Sequence, residues 1–159
     1  MVPYRLLQGF EVFNGLTDDE LKLVANMGRE EAFDEEALIF AEDTQAETFY
    51  CVLEGRVALR FRLLTRPMTK ETTIDTVRKG EVFGWSALVR PHRLTASAIC
   101  AEKARCITFS GKELQQLFQE NCHIGYVVLE NLAEVIATRL RDVRLQLIRE
   151  VGQSIIHGW

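Results

Sequence analysis

The sequence predicts a mainly β domain, a roll or barrel of short strands with helices at both ends of the chain. Three observations predict it. Between about Ala32 and Phe109 the hydrophobic period falls towards two, in a succession of short β-rich runs. A helix start signal stands ahead of that stretch, and behind it apolar residues recur at helical spacing. The 159 residues are about one domain's length, and 47% hydrophobic against 26% charged residues supply enough apolar side chain for a sizeable core. The chain therefore reads as one domain over 1–159, with a helical segment at about 1–31, a β-roll at 32–109 and a helical region at 111–150.

The first element rests on Leu16-Thr17-Asp18-Asp19-Glu20. Thr17 can cap a helix with its hydroxyl while Glu20 reaches back to the Thr17 N–H, so a short helix starts at Asp18 and turns Leu21, Val24 and Ala25 inward. Before it, Leu7, Phe10, Phe13 and Leu16 flank Gly9 and Gly15 in an apolar segment that packs on the rest of the domain. The β-rich runs are Ala37 to Phe40, Thr48 to Leu53, Arg56 to Leu64, Thr72 to Val77, Leu94 to Ile99 and Arg105 to Phe109. Several short strands at this spacing make a roll or barrel. Glu54-Gly55 predicts a hairpin turn, and Arg66-Pro67-Met68-Thr69-Lys70 a second, polar one, since Pro67 has no N–H for a ladder.

The third region is helical from about Gly111 to Ile148. Within it Tyr126, Leu129, Ala133, Ile136, Leu140, Val143 and Leu147 recur in alternating steps of three and four, a heptad seam that calls for a partner helix and predicts a homodimer. Ile124, Val128, Leu132 and Val135 form a second stripe placed to pack back on the roll. The final Val151 to Trp159 has apolar residues without length and reads as a loosely packed end.

Composition excludes several classes of function. With 19 Lys+Arg against 23 Asp+Glu the net charge is −4, which argues against a nucleic-acid module built on bulk positive charge. Charge interrupts every apolar stretch before it reaches membrane-spanning length, and Met1 to Phe10 lacks a signal-peptide pattern, so no membrane association and a cytoplasmic location are expected. Cys51, Cys100, Cys106 and Cys122 contain no CxxC pair and read as buried small hydrophobes in a reducing compartment. His92, His123 and His157 are isolated, no metal-ligand spacing is present and no nucleophile–base arrangement is legible. The expectation is no catalytic residue and no metal.

The stretch that points to function is Gly80 to Ala98. Gly80 and Gly84 allow a sharp backbone turn close to a ligand, and Trp85-Ser86-Ala87-Leu88 reads as one helical turn whose first N–H groups attract an anion. An Arg shortly downstream would complete a phosphate site. Arg90, His92 and Arg93 form a small basic cluster that reads more readily as a solvated turn than as a site.

At this point the sequence resembles the cyclic-nucleotide-binding domain family. The resemblance rests on Phe13-Asn14-Gly15-Leu16 with Glu20-Leu21, on Phe49-Tyr50-Cys51-Val52-Leu53-Glu54-Gly55, on the Gly80 to Ala98 cassette and on the long helix after the roll. It implies a jelly-roll-like β-roll of eight strands, cAMP or cGMP as possible ligands, and Gly80, Phe83, Gly84, Trp85, Ser86, Ala87, Arg93, Leu94 and Thr95 around the ligand. Two residues depart from the family pattern. Where the family has a Glu that accepts from the ribose hydroxyl this chain has Trp85, and an indole accepts nothing. Where the family has an Arg before Ser/Thr-Ala this chain has Leu94, with Arg93 one position early and, on a strand, on the opposite face unless a bulge intervenes.

The expected function is a non-enzymatic sensor module that binds cyclic nucleotides weakly, or another small molecule, and signals through its C-terminal helix to a partner protein. The alternative is a ligand-free dimerisation module with a degenerate pocket. Family members of the transcription-factor type continue into a helix-turn-helix; few residues lie between the seam and Trp159, so direct DNA binding is not expected.

Overall fold

The computed structural model describes residues 1–65 and 68–157. A short helix α1 (Tyr4–Leu7) and a single 3-10 turn (Glu11–Phe13) lead to α2 (Asp18–Met27). The capping box forms as the sequence predicts: the Thr17 hydroxyl accepts from the Glu20 N–H, and the Glu20 carboxylate accepts from the Thr17 N–H at 2.9 Å.

The roll has eight strands: β1 (Arg29–Phe33), β2 (Leu38–Phe40), β3 (Thr48–Glu54), β4 (Arg56–Thr65), β5 (Met68–Arg78), β6 (Val82–Phe83), β7 (Ser97–Cys100) and β8 (Ala104–Ser110). They form two four-stranded sheets of order β1-β8-β3-β6 and β2-β7-β4-β5, every pairing antiparallel. The Glu54-Gly55 turn joins β3 to β4 with Gly55 at φ +84°. The Arg66-Pro67 part of the second expected turn lies outside the described residues, as do Gly158 and Trp159.

Strands β3 and β8, at the centre of the first sheet, are buried on both faces. Phe49, Cys51, Ile107 and Phe109 face the helices, where they meet Leu7, Phe13, Leu21, Val24, Leu114 and Ile124. Tyr50, Val52, Phe83 and Cys106 face the second sheet, where they meet Val57, Val77, Ala98 and Cys100. This explains the unbroken apolar run from Phe49 to Leu53: a strand covered on both sides loses its alternation.

The structure corrects several expectations. Strand β7 begins at Ser97 and not at Leu94, because residues 92–94 pair outside the sheet with the loop at 43–46. The charged β1 and the two-residue β6 carry no period-two pattern and are absent from the runs read in the sequence. The C-terminal region is two helices, α3 (Gly111–Glu120), capped by the Ser110 hydroxyl, and α4 (Cys122–His157). Helix α4 runs 36 residues, so Val151 to His157 continue it and are not a loose end. Three cysteines are buried, but Cys122, at the start of α4, is exposed. Burial pushes the Cys106 thiol up to about 12 and Cys51 well above its ordinary range, which keeps both protonated and inert. Among the described residues no helix is long and apolar enough to cross a membrane.

Candidate functional site

The cassette is built on β6. Strand β6 pairs with β3 through Tyr50↔Phe83 and Cys51↔Val82, and the Phe83 ring stacks on Tyr50 at 4.6 Å between centroids. Phe40 lies 5.9 Å from each of these rings, and Phe33 stands edge-on to Tyr50 at 6.4 Å. Four aromatic rings thus occupy the space between the sheets beside the cassette. Burial raises the Tyr50 hydroxyl's pKa above its ordinary value, so Tyr50 stays neutral.

Gly84 then turns the chain with φ +73°, a conformation that costs other residues free energy. A Cβ there would stand 2.8 Å from the Thr48 carbonyl oxygen and 2.8 Å from the Tyr50 ring, so space as well as backbone angle requires glycine. The single 3-10 turn Trp85–Ala87 comes next, as the sequence suggests, and its opening N–H groups have no partner within the turn. Gly80, also at positive φ, lies before β6 and lines a different space, a cleft of about 660 Å³ between the N-terminal segment, the end of β5 and α4. That cleft carries Glu11, Asp75, Glu81, Glu134 and Asp142 against Lys79 and Arg139.

After the turn the chain returns along the loop at 43–46. The Leu94 N–H donates to Thr44, the Asp43 N–H to Leu94 and the Ala46 N–H to His92, each at 2.8 to 2.9 Å, and Gln45 bridges Arg93. In such an antiparallel pairing successive side chains alternate. Leu94 accordingly points inward, 6% exposed, against Ala46, Ala87 and Phe40. Arg93 and Thr95 are exposed, and no bulge brings Arg93 back to the cassette. Arg90 is exposed as well, whereas His92 is half-buried with Nδ1 3.0 Å from the Ser86 carbonyl, so the basic cluster does not converge.

Trp85 turns the other way, out of the roll and towards α4. It packs against the helical side of the core, as Val135 and Ile136 also do, and the Arg139 guanidinium covers its ring at 4.7 Å. Arg139 also donates to the Val82 carbonyl at 3.1 Å and lies 3.4 Å from Asp75 and 3.6 Å from Glu81. Of the expected ligand residues, then, Phe83, Ala87 and Leu94 share the interior side of the cassette, while Gly80 and Trp85 serve its α4 side. Sequence reasoning missed Arg139, Asp75, Tyr50 and Phe40. Arg139 carries a weak signal, a cation inside an apolar helical window, but nothing local pairs it with Trp85.

On α4, Ile124, Val128 and Leu132 are buried against the core, with Val135 packed beside them, as the second stripe predicts. The heptad seam faces away: Tyr126 is 65% exposed, Leu129, Leu140, Val143 and Leu147 are exposed, and Ile136 is half-buried.

The sequence profile of the cyclic nucleotide-binding domain matches residues 23–121. The chain belongs to that family. Among proteins with a cyclic nucleotide-binding domain, the cyclic AMP receptor protein of Thermus thermophilus is 29% identical over 146 residues, 89% of this chain and 62% of the relative. The cGMP-dependent protein kinase, isozyme 1, of Drosophila melanogaster is 23% identical over 74% of this chain and 15% of the kinase. The chain therefore spans less than two thirds of either curated relative. The crystal structure of a putative cyclic nucleotide-binding protein from Geobacter metallireducens superposes with TM-score 0.76 at 29% identity, covering 88% of this chain and 99% of that one. The Thermus thermophilus catabolite activator protein superposes with TM-score 0.72 at 26% identity, covering 86% of this chain and 61% of that one. The eight-stranded roll with its flanking helices is the cyclic nucleotide-binding domain fold.

Proposed function

We propose that this cyclic nucleotide-binding domain is a non-enzymatic regulatory sensor whose cassette no longer grips a cyclic nucleotide tightly, and which passes its state outward through α4 as a homodimer. The observation that carries the proposal is the placement of Leu94: the side chain at the family's phosphate-facing position is apolar and buried, and the neighbouring Arg93 is exposed. A charge-assisted contact is worth roughly 1.5–3 kcal/mol, so without its phosphate and ribose anchors a cyclic nucleotide loses several hundredfold in affinity or more. The residues present do not fit that ligand in the family's manner. Leu94 packs with Ala46, Ala87 and Phe40 in an apolar cluster that disfavours a charged group there.

The test is isothermal calorimetry with cAMP and cGMP, accompanied by Trp fluorescence. Dissociation constants of roughly 0.1 mM or more are expected; submicromolar binding would overturn the proposal. A second reading, a ligand-free dimerisation module, is favoured by the rings of Phe33, Phe40, Tyr50 and Phe83 filling the roll beside the cassette. It predicts no heat and no fluorescence change with any small ligand.

A further inference from the structure

Among the described residues, the buried contacts of α4 run along the helix no further than Arg139. Arg139 is mostly covered, its side chain 14% exposed, and it touches three separate segments: Asp75 on β5, Glu81 and Val82 at the entry to the cassette, and the Trp85 ring within it. Beyond it, Leu140 is 57% exposed and residues 141–157 are exposed apart from half-buried Gly152. The Arg139 contact set is also incomplete. Nη1 is buried without a hydrogen-bond partner, although it lies within ion-pair distance of Asp75. A buried donor left unmet weighs against the closed arrangement, while two carboxylates, a carbonyl and a π-face weigh for it. Opposing contributions of that kind leave a contact able to open.

We infer that Arg139 is a positioning residue, a latch that fixes where α4 leaves the roll, and that Trp85 is its seat rather than a ligand-binding group. The inference rests on the proposal that α4 carries the output, but the latch itself needs no ligand. It assigns the departure from the family pattern at Trp85 a purpose. An aromatic face at position 85 holds a guanidinium from above, whereas the carboxylate of the family would face a ribose. Trp85 thus joins the cassette to α4 directly, and a shift of the 3-10 turn moves the support of Arg139.

The test uses the full chain carrying Trp159→Phe, so that Trp85 is its one tryptophan. In Arg139→Gln, acrylamide quenching of Trp85 should rise at least twofold and its emission should move to longer wavelength. Arg139→Lys, which keeps the cation, should show a smaller change. Hydrogen exchange over residues 132–145 should rise about tenfold in Arg139→Gln and in Trp85→Leu, with β3 and β8 unchanged. The double variant should go no further than either single one, because each removes the same contact. Unchanged quenching in Arg139→Gln, or additive exchange in the double variant, would overturn the latch. Raised exchange throughout β3 and β8 in both Arg139→Gln and Trp85→Leu would overturn it too, by making the pair ordinary core. Ligand binding enters none of these readouts, so a failed latch leaves the sensor proposal to its own calorimetric test, and the reverse.

Discussion

Rebuilding the cassette's anchors is the most searching perturbation available. Leu94→Arg exchanges a buried leucine, packed on Ala46, Ala87 and Phe40, for a cation with no partner there. The lost burial alone costs about 2 kcal/mol, so the free protein should be destabilised. Trp85→Glu supplies the ribose acceptor and removes the seat of Arg139. With both anchors present, two contacts of roughly 1.5–3 kcal/mol each should bring a dissociation constant near 0.1 mM to about 1 μM or below. The assay is the thermal midpoint with and without 0.1 mM cAMP, each protein measured against its own ligand-free value. At that concentration the unmodified chain gains at most about 0.4 kcal/mol by mass action, and the double variant about 2.7 kcal/mol. For a domain of this size these correspond to about 1 °C and about 5–11 °C. Each single variant should fall well short of the double. A double variant that shifts no more than the unmodified chain would refute the reasoning, since the turn at Gly84 and the N–H groups that open it remain intact.

Three further outcomes rest on the geometry. Ile136→Glu with Leu140→Glu places like charges in the seam, at one half-buried and one exposed position, and should convert a dimer to a monomer in sedimentation; a monomeric unmodified protein at high micromolar concentration would remove the seam's proposed role. Gly84→Ala must hold φ +73° with a Cβ 2.8 Å from the Thr48 carbonyl, and should lower stability by about 1–3 kcal/mol in chemical denaturation. The Glu20 carboxyl is held below its usual 4.5, first by the Thr17 N–H and then by His123, so its contribution is present at neutral pH and fades as pH falls below 4.5 through the lower folded value. The gap in thermal midpoint between the unmodified protein and Glu20→Gln should therefore narrow as pH falls below 4.5, as protonation removes the charge that the Thr17 N–H and His123 hold.

Much of the architecture was legible because local chemistry and packing agree there. The Thr17–Glu20 box, the Gly55 turn and the inward stripe of α4 each carry their signal in adjacent residues. Strand β1 was not legible: Arg29, Glu30 and Glu31 are exposed and give no apolar alternation, and the contacts of Glu30 with Arg105 and Glu31 with Thr108 on β8 span more than seventy positions. The break between α3 and α4 was hidden as well, since both helices are amphipathic and only Asn121, extended, separates them. In the cassette, the order Gly80, Gly84 and Leu94 could be read directly, and so could the opposite facing of Arg93. The role of Trp85 could not, because its partner lies 54 positions on, brought near only by the docking of α4 on the roll.

The outer part of α4 has a mechanical consequence. From Arg139 to His157 the helix extends about 27 Å, at 1.5 Å per residue, and its residues beyond Arg139 are exposed apart from half-buried Gly152. It is a lever with its fulcrum at Arg139: a tilt of about 10° there carries the tip through roughly 5 Å, close to one helical turn. The fulcrum also divides the seam, leaving Tyr126 to Ile136 riding with the roll and Leu140 to Leu147 on the free arm. In a dimer, a tilt of that size would change the pairing on the arm, at a distance where no ligand in the roll could touch it.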